Sequence, residues 1–158
     1  MEVQHLGVDP ATVREAFEST KDLFALSEAR KRDLPVWFDQ PMDARTGYRA
    51  AFTESLGPRT KNDARESFTI HVKGREAGTD AVRFRGDVSG TPPRFQAAAE
   101  ELLAETLDAA QRLGKATSVA LDLAGPEKDF FDGMMAADDN QYMGFNYYPA
   151  VALSLIHI

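Results

Sequence analysis

Apolar residues recur at spacings of three and four along two long stretches of this chain, and alternate along a short third one. Val13, Ala16, Phe17, Thr20, Leu23 and Phe24 define the first stretch. Asp9-Pro10 stands just before it, an N-cap followed by a proline at the first helical position, so a helix is predicted from Pro10. Ser27 reads as a second N-cap, opening a short basic helix over Glu28-Ala-Arg-Lys-Arg-Asp33 that Leu34-Pro35 stops. The second stretch is stronger. Phe95, Ala98, Ala99, Leu102, Leu103, Thr106, Leu107, Ala110 and Leu113 form one stripe, with Thr91 as the candidate cap. Thr117, Ala120 and Leu121 carry the stripe past Gly114 towards Gly125-Pro126. Gly114 costs the helix about 1 kcal/mol relative to alanine, which is too little to end it.

The rest of the pattern is less regular. Val36 to Gly57 reads as irregular, with Pro41, Gly47 and Gly57 as punctuation. Asp63 to Ile70 fits a short helix or the start of a strand. Gly74 to Pro93 reads as a surface loop with room for a brief strand at Val82-Arg-Phe84. Glu127 to Met135 reads as a further short helix and Asp138-Asp-Asn140 as a turn. Met143-Gly-Phe-Asn-Tyr-Tyr148 is predicted as an aromatic-rich strand. Val3 to Leu6 has the look of a strand end.

Composition narrows the function classes. The 158 residues suit one domain, and 43% hydrophobic content supports a packed core. A net charge of −7 argues against nucleic acid or an anionic membrane as the main partner. The absence of cysteine excludes disulfides, thiolate metal sites and cysteine nucleophiles, and fits a reducing, cytoplasmic compartment. Residues 1–9 lack the basic start and apolar run of a signal peptide, and the apolar end, 150–158, is too short to span a bilayer.

Local chemistry is sparse. His5, His71 and His157 stand in no metal-binding spacing, and no nucleophile elbow or phosphate-cradling loop is present. The acid pairs Glu100/Glu101 and Asp138/Asp139 read as solvated surface, and Arg30-Lys-Arg32 is too short for a nucleic-acid patch. One segment stands out, Asn146-Tyr-Tyr-Pro149. On a strand, Asn146 and Tyr148 share one face and Tyr147 takes the other. An amide and a phenol side by side can hydrogen-bond a carboxylate or an oxo group.

The order of these features resembles the isopenicillin-N-synthase-like family of non-haem iron dioxygenases. Val3-Gln-His-Leu-Gly-Val8 looks like the family's V-x-N-H-G-V strand end, and a helix follows in both. Leu23-Phe-Ala-Leu26 with Glu28, Arg30 and Lys31 is similar to F-F-x-L-P-x-E-x-K. Gly47-Tyr48, Glu54-Ser-Leu56 and Asp63-Ala-Arg-Glu-Ser-Phe68 resemble the G-Y … D-x-K-E-x-F segment. The helix from Phe95 resembles the family's spine helix, and Asn146-Tyr-Tyr-Pro149 its N-Y-Y-P strand.

The resemblance implies an α+β fold. A helix-rich N-terminal domain with one long spine helix would occupy residues 1–140, missing its first strands, and 141–150 would be the first strand of a truncated double-stranded β-helix, or jelly roll. Residues 151–158 depart from the family; Leu153-Ser-Leu-Ile-His-Ile158 resembles translated adaptor sequence and is expected to be non-native. The implied activity is that of an Fe(II)/2-oxoglutarate-dependent oxygenase that hydroxylates or desaturates a small organic substrate. By resemblance, Asn146 and Tyr148 line the cosubstrate pocket and bond its carboxylates, while Tyr147 faces the core. The family's His-x-Asp and distal His iron ligands, and its Arg-x-Ser anchor, follow N-Y-Y-P, so no catalytic or metal-ligating residue is expected within this chain. Neither cofactor is expected to bind the fragment specifically, and the fragment is expected to be inactive. Gly144 stands where relatives often have Arg. The spine helix should also expose apolar surface that a jelly roll would cover. The alternative is a non-enzymatic helical interaction module, with Asn146-Tyr-Tyr-Pro149 incidental.

Overall fold

The computed structural model describes residues 7–39, 46–53, 63–75, 82–131, 134 and 141–150. The first helix, α1, runs Pro10–Phe24, and the Asp9 side chain accepts from Ala11 N at 2.7 Å, as the cap pattern predicts. Helix α2 is Glu28–Arg32, with Ser27 Oγ accepting from Arg30 N. Helix α3 runs Pro93–Ala120, 28 residues and about 42 Å long. It passes through Gly114 without a break. Its expected cap is corrected: Pro92 is the N-cap residue and offers no side-chain bond. Thr91 Oγ1 instead donates to Val88 O, and Gln96 Nε2 donates back to Thr91 Oγ1. The helix follows the stripe to its end at Ala120, with Leu121 as the C-cap residue, and Gly125–Glu127 is a single 3₁₀ turn.

The stretch read as irregular contains a strand, β1, Gly47–Arg49, and β2, Glu66–Arg75, takes the strand option left open at Asp63–Ile70; β3, Val82–Arg85, and β4, Tyr142–Tyr147, stand where strands were predicted. Among the described residues these form one antiparallel sheet. β2 is its centre. β4 runs along one edge of β2, pairing Glu66 with Tyr147 through to His71 with Tyr142. β1 and then β3 share the other edge, opposite Ser67–Thr69 and His71–Arg75. Local pattern missed β1 because three residues show no period. It left Asp63–Ile70 open because alternation there is between apolar Phe68, Ile70 and Val72 and small polar Ser67 and Thr69, all of which end up buried. The strand expected at Val3–Leu6, the turn at Asp138–Asn140 and the tail 151–158 lie outside the described residues.

The core lies between one face of this sheet and the helices. Phe68, Ile70, Val72 and Phe145 meet Leu23 and Phe24 of α1 and Phe95, Ala99 and Leu103 of α3. Phe95 is the hub, edge-on to Phe68 at 5.7 Å and to Phe145 at 4.9 Å between ring centres. α1 and α3 are also tied by polar contacts. Glu105 accepts from Asp9 N at 2.7 Å and from Thr12 Oγ1 at 2.9 Å, so an α3 carboxylate finishes the N-terminus of α1. Arg94 grips Glu15 through two nitrogens and Asp22 through a third.

Two stripes are corrected. The buried face of α1 is Thr12, Ala16, Ser19, Leu23 and Phe24, and Phe17 is 70% exposed. The helix is turned so that its small residues meet α3. On α3 burial weakens towards the C-terminus, where Leu113, Val119 and Leu121 are exposed, as are Phe130 and Met134 beyond it. This agrees with the expected uncovered apolar surface.

Candidate functional site

Strand alternation gives the sheet a second face, turned away from the helices. Along β2 it carries Ser67, Thr69 and His71. The register adds Asn146, Gly144 and Tyr142 from β4, and Arg49 and Gly47 from β1. Three rows result: Arg49–Ser67–Asn146, Gly47–Thr69–Gly144, and His71 beside Tyr142. The last two rings stack at 5.5 Å. Asn146 is exposed, and so is Tyr148, one residue past β4, which continued alternation places on Asn146's side. Both groups are presented to solvent from a backbone that β2 holds in register along six pairs. Tyr147 takes the opposite face and stacks on Phe24 at 5.5 Å, though it remains 43% exposed.

A second cluster sits on the helix side of the same sheet, at its β1 edge. Lys31 is only 7% exposed, and its Nζ lies 2.8 Å from Glu66, itself 12% exposed, and 3.6 Å from Glu28. Glu66 also accepts from the Tyr48 hydroxyl at 2.7 Å. Burial, and then the Glu66 carboxylate, hold the Tyr48 phenol well above its ordinary range. Within the basic run Arg30-Lys-Arg32 the flanking arginines are exposed and Lys31 is buried. Nothing in a five-residue helix says which of its cations will land on a buried carboxylate.

Arg49 spans the two regions. Its Nε donates to Ser67 Oγ at 3.0 Å, and its guanidinium carbon lies 4.5 Å from the centre of the Trp37 ring. The 35–37 segment is fixed there by a parallel bridge from Val36 to Tyr48 and by Tyr48 N donating to Pro35 O at 2.7 Å. Gly47 permits this approach: its φ is 151°, and a Cβ there would fall 2.5 Å from Pro35 O.

On the free side of β4, a cleft of about 320 Å³ opens between Ala16, Phe17, Thr20, Leu102 and residues 143–146. It explains the exposed Phe17, which forms part of its wall. Among the described residues no group of three or more His, Asp, Glu or Cys is placed to hold a metal ion, so the described part of this chain does not itself fit an iron centre. Of the three histidines, His71 lies in β2, and His5 and His157 lie outside the described residues. No helix among the described residues is long and apolar enough to cross a membrane.

The described residues form an α+β unit. The comparison with protein families says to which family it is similar. Residues 1–88 match the family model described as non-haem dioxygenase in morphine synthesis N-terminal, and the chain belongs to this family of non-haem dioxygenase N-terminal domains. No curated protein matches the chain.

Proposed function

We propose that this chain is the N-terminal part of an Fe(II)/2-oxoglutarate-dependent oxygenase that hydroxylates or desaturates a small organic molecule in the cytoplasm. The observation that carries the reading is the pairing of β4 with β2, which puts Asn146 on the face opposite the helices, with Tyr148 exposed one residue past the strand. Residues 1–140 form the N-terminal domain, and 141–150 contribute the first strand of a jelly roll. The role of Asn146 is to donate its amide N–H to a cosubstrate carboxylate, and that of Tyr148 to donate its phenolic O–H. Tyr147, stacked on Phe24, ties the strand to the helices and so fixes the angle at which its neighbours point. When bound, iron and 2-oxoglutarate supply the oxidising chemistry. The chain's own share is to hold the cosubstrate and keep water from it.

The test is Fe(II)-dependent succinate release from 2-oxoglutarate, run on the 158-residue chain and on the source reading frame extended past codon 150. The short chain is expected to release none above background. The extended frame is expected to encode His-x-Asp and a distal His, and to turn over with a KM for 2-oxoglutarate that rises at least tenfold in Asn146→Ala. Turnover by the short chain would overturn its assignment as an inactive part. An extended frame without those residues would overturn the oxygenase reading and favour an interaction module, for which the exposed end of α3 would be the surface.

A further inference from the structure

Three segments far apart in the chain each send one side chain to the same buried spot. Lys31 comes from α2, Tyr48 from β1 and Glu66 from the first position of β2. The Tyr48 hydroxyl donates to Glu66 Oε2 at 2.7 Å, and Lys31 Nζ lies 2.8 Å from the same oxygen. The role given above to Asn146 and Tyr148 makes no use of this cluster, yet the phase of the β2–β4 ladder connects it to them. Val72 N donates to Gln141 O at 2.9 Å. Along an antiparallel ladder, pairs that exchange both backbone bonds alternate with pairs that exchange none. Counted from Val72, the bonded pairs are Ile70–Met143, Phe68–Phe145 and Glu66–Tyr147, and Ser67–Asn146 is not one of them.

Asn146 is therefore held to β2 through its neighbours Phe145 and Tyr147. Glu66–Tyr147 is the last pair of the ladder, and Tyr148 follows directly after it. The end of a ladder opens before its middle. The cluster opposes that opening, because it ties the Glu66 side chain to α2 and β1 while the Glu66 backbone holds Tyr147. We propose that Glu66 is a positioning residue: gripped by Lys31 and Tyr48, it keeps the end of β4 paired and so fixes where Asn146 and Tyr148 point. The proposal deepens the oxygenase reading and rests on it for what those two residues hold. A cluster that served stability alone would protect the whole of β4 alike, whereas a positioning cluster protects its end.

Amide hydrogen exchange in the ¹⁵N-labelled 158-residue chain separates the two. The N–H groups of Met143 and Tyr147 both point at β2, so each reports its own end of the ladder. In Glu66→Ala the exchange rate of Tyr147 relative to that of Met143 is expected to rise at least tenfold. Glu66→Gln keeps an acceptor for Tyr48 and loses the charge facing Lys31, and Tyr48→Phe removes one oxygen. Each is expected to raise the ratio at least threefold. Circular dichroism identifies the variants that fold, and Tyr48→Phe keeps the test decisive if the Glu66 variants do not. A ratio unchanged in every folded variant overturns the proposal, whether both rates rise together or neither moves. In the extended frame, Tyr48→Phe is expected to raise KM for 2-oxoglutarate at least threefold and to change kcat less than twofold. A fall in kcat with KM unchanged overturns the positioning role. Because exchange is read without iron or turnover, its failure is distinct from failure of the oxygenase reading, which succinate release decides.

Discussion

Lys31 and Glu66 make the residue-scale case for how this chain uses charge. Two ions taken out of water pay a desolvation cost that their attraction only partly returns. Their contribution is therefore greatest when one is removed and the other is left behind. Lys31→Met is expected to cost about 3–5 kcal/mol in urea unfolding, because Glu66 keeps a buried charge facing a phenol. The pair Lys31→Met with Glu66→Leu should cost clearly less than Lys31→Met alone. Additive losses in the double-mutant cycle would show that the two do not act as a unit. None of this was legible at Lys31 itself. The sequence shows a basic run at a helix end, where solvation is the rule, and burial arises only because α2 packs over the β1–β2 edge. Asn146 and Tyr148 are the opposite case. Their shared side follows from period two alone, and the register of β4 bears it out for Asn146.

At the scale of elements, the docking of α1 on α3 combines an apolar seam with an exposed ionic clamp. Arg94, by hydrogen bonding first and Coulombic attraction second, holds the Glu15 carboxyl below its ordinary range. Glu15 in turn raises the Arg94 guanidinium, with Asp22 adding to it. A carboxyl with a lowered folded-state pKa stabilises the fold above its unfolded pKa, and the gain disappears as pH falls through the folded value. The clamp should therefore be complete at neutral pH and lost in acid, as pH falls through that lowered value. Its groups are about half exposed, so the effect is small and salt should weaken it. Glu15→Gln is expected to flatten the acid limb of the thermal-melt profile at low salt and to change little at high salt. An unchanged acid limb would remove Glu15 from this role. The periodicity of both helices was readable, but their rotation was not. Phe17 belongs to the apolar stripe by spacing, yet the close packing of two helices favours Ala16 and Ser19 at the seam and turns Phe17 out to the cleft beside β4.

The whole molecule has a well-packed end and an uncovered one. Phe95 joins sheet and helices at the first turn of α3, while the last turns carry Leu113, Val119 (81% exposed) and Leu121 with little against them. Isolated apolar residues on a surface are ordinary, but several near one helix end add to the apolar area open to a hydrophobic probe. The chain is expected to bind a hydrophobic dye in its native state. Val119→Lys with Leu121→Lys should reduce that fluorescence without lowering the melting temperature, since neither side chain supports the core. Dye binding unaffected by the two lysines would place the exposed surface elsewhere.

What the sequence determined by itself were the features set by local physics. Caps at Asp9 and Ser27, the 3.6-residue period of α1 and α3, and the alternation that puts Asn146 apart from Tyr147 all depend on neighbours a few positions away. Family membership was legible for the same reason, as short motifs in a fixed order. Tertiary structure alone decided the rest. It made Glu66–Arg75 the central strand by giving it partners on both edges, buried Lys31 against Glu66, and brought Arg49 into one row with Ser67 and Asn146. Each of these joins residues distant in the chain, and the free energy that selects them comes from burial and pairing across that distance, which no local pattern encodes.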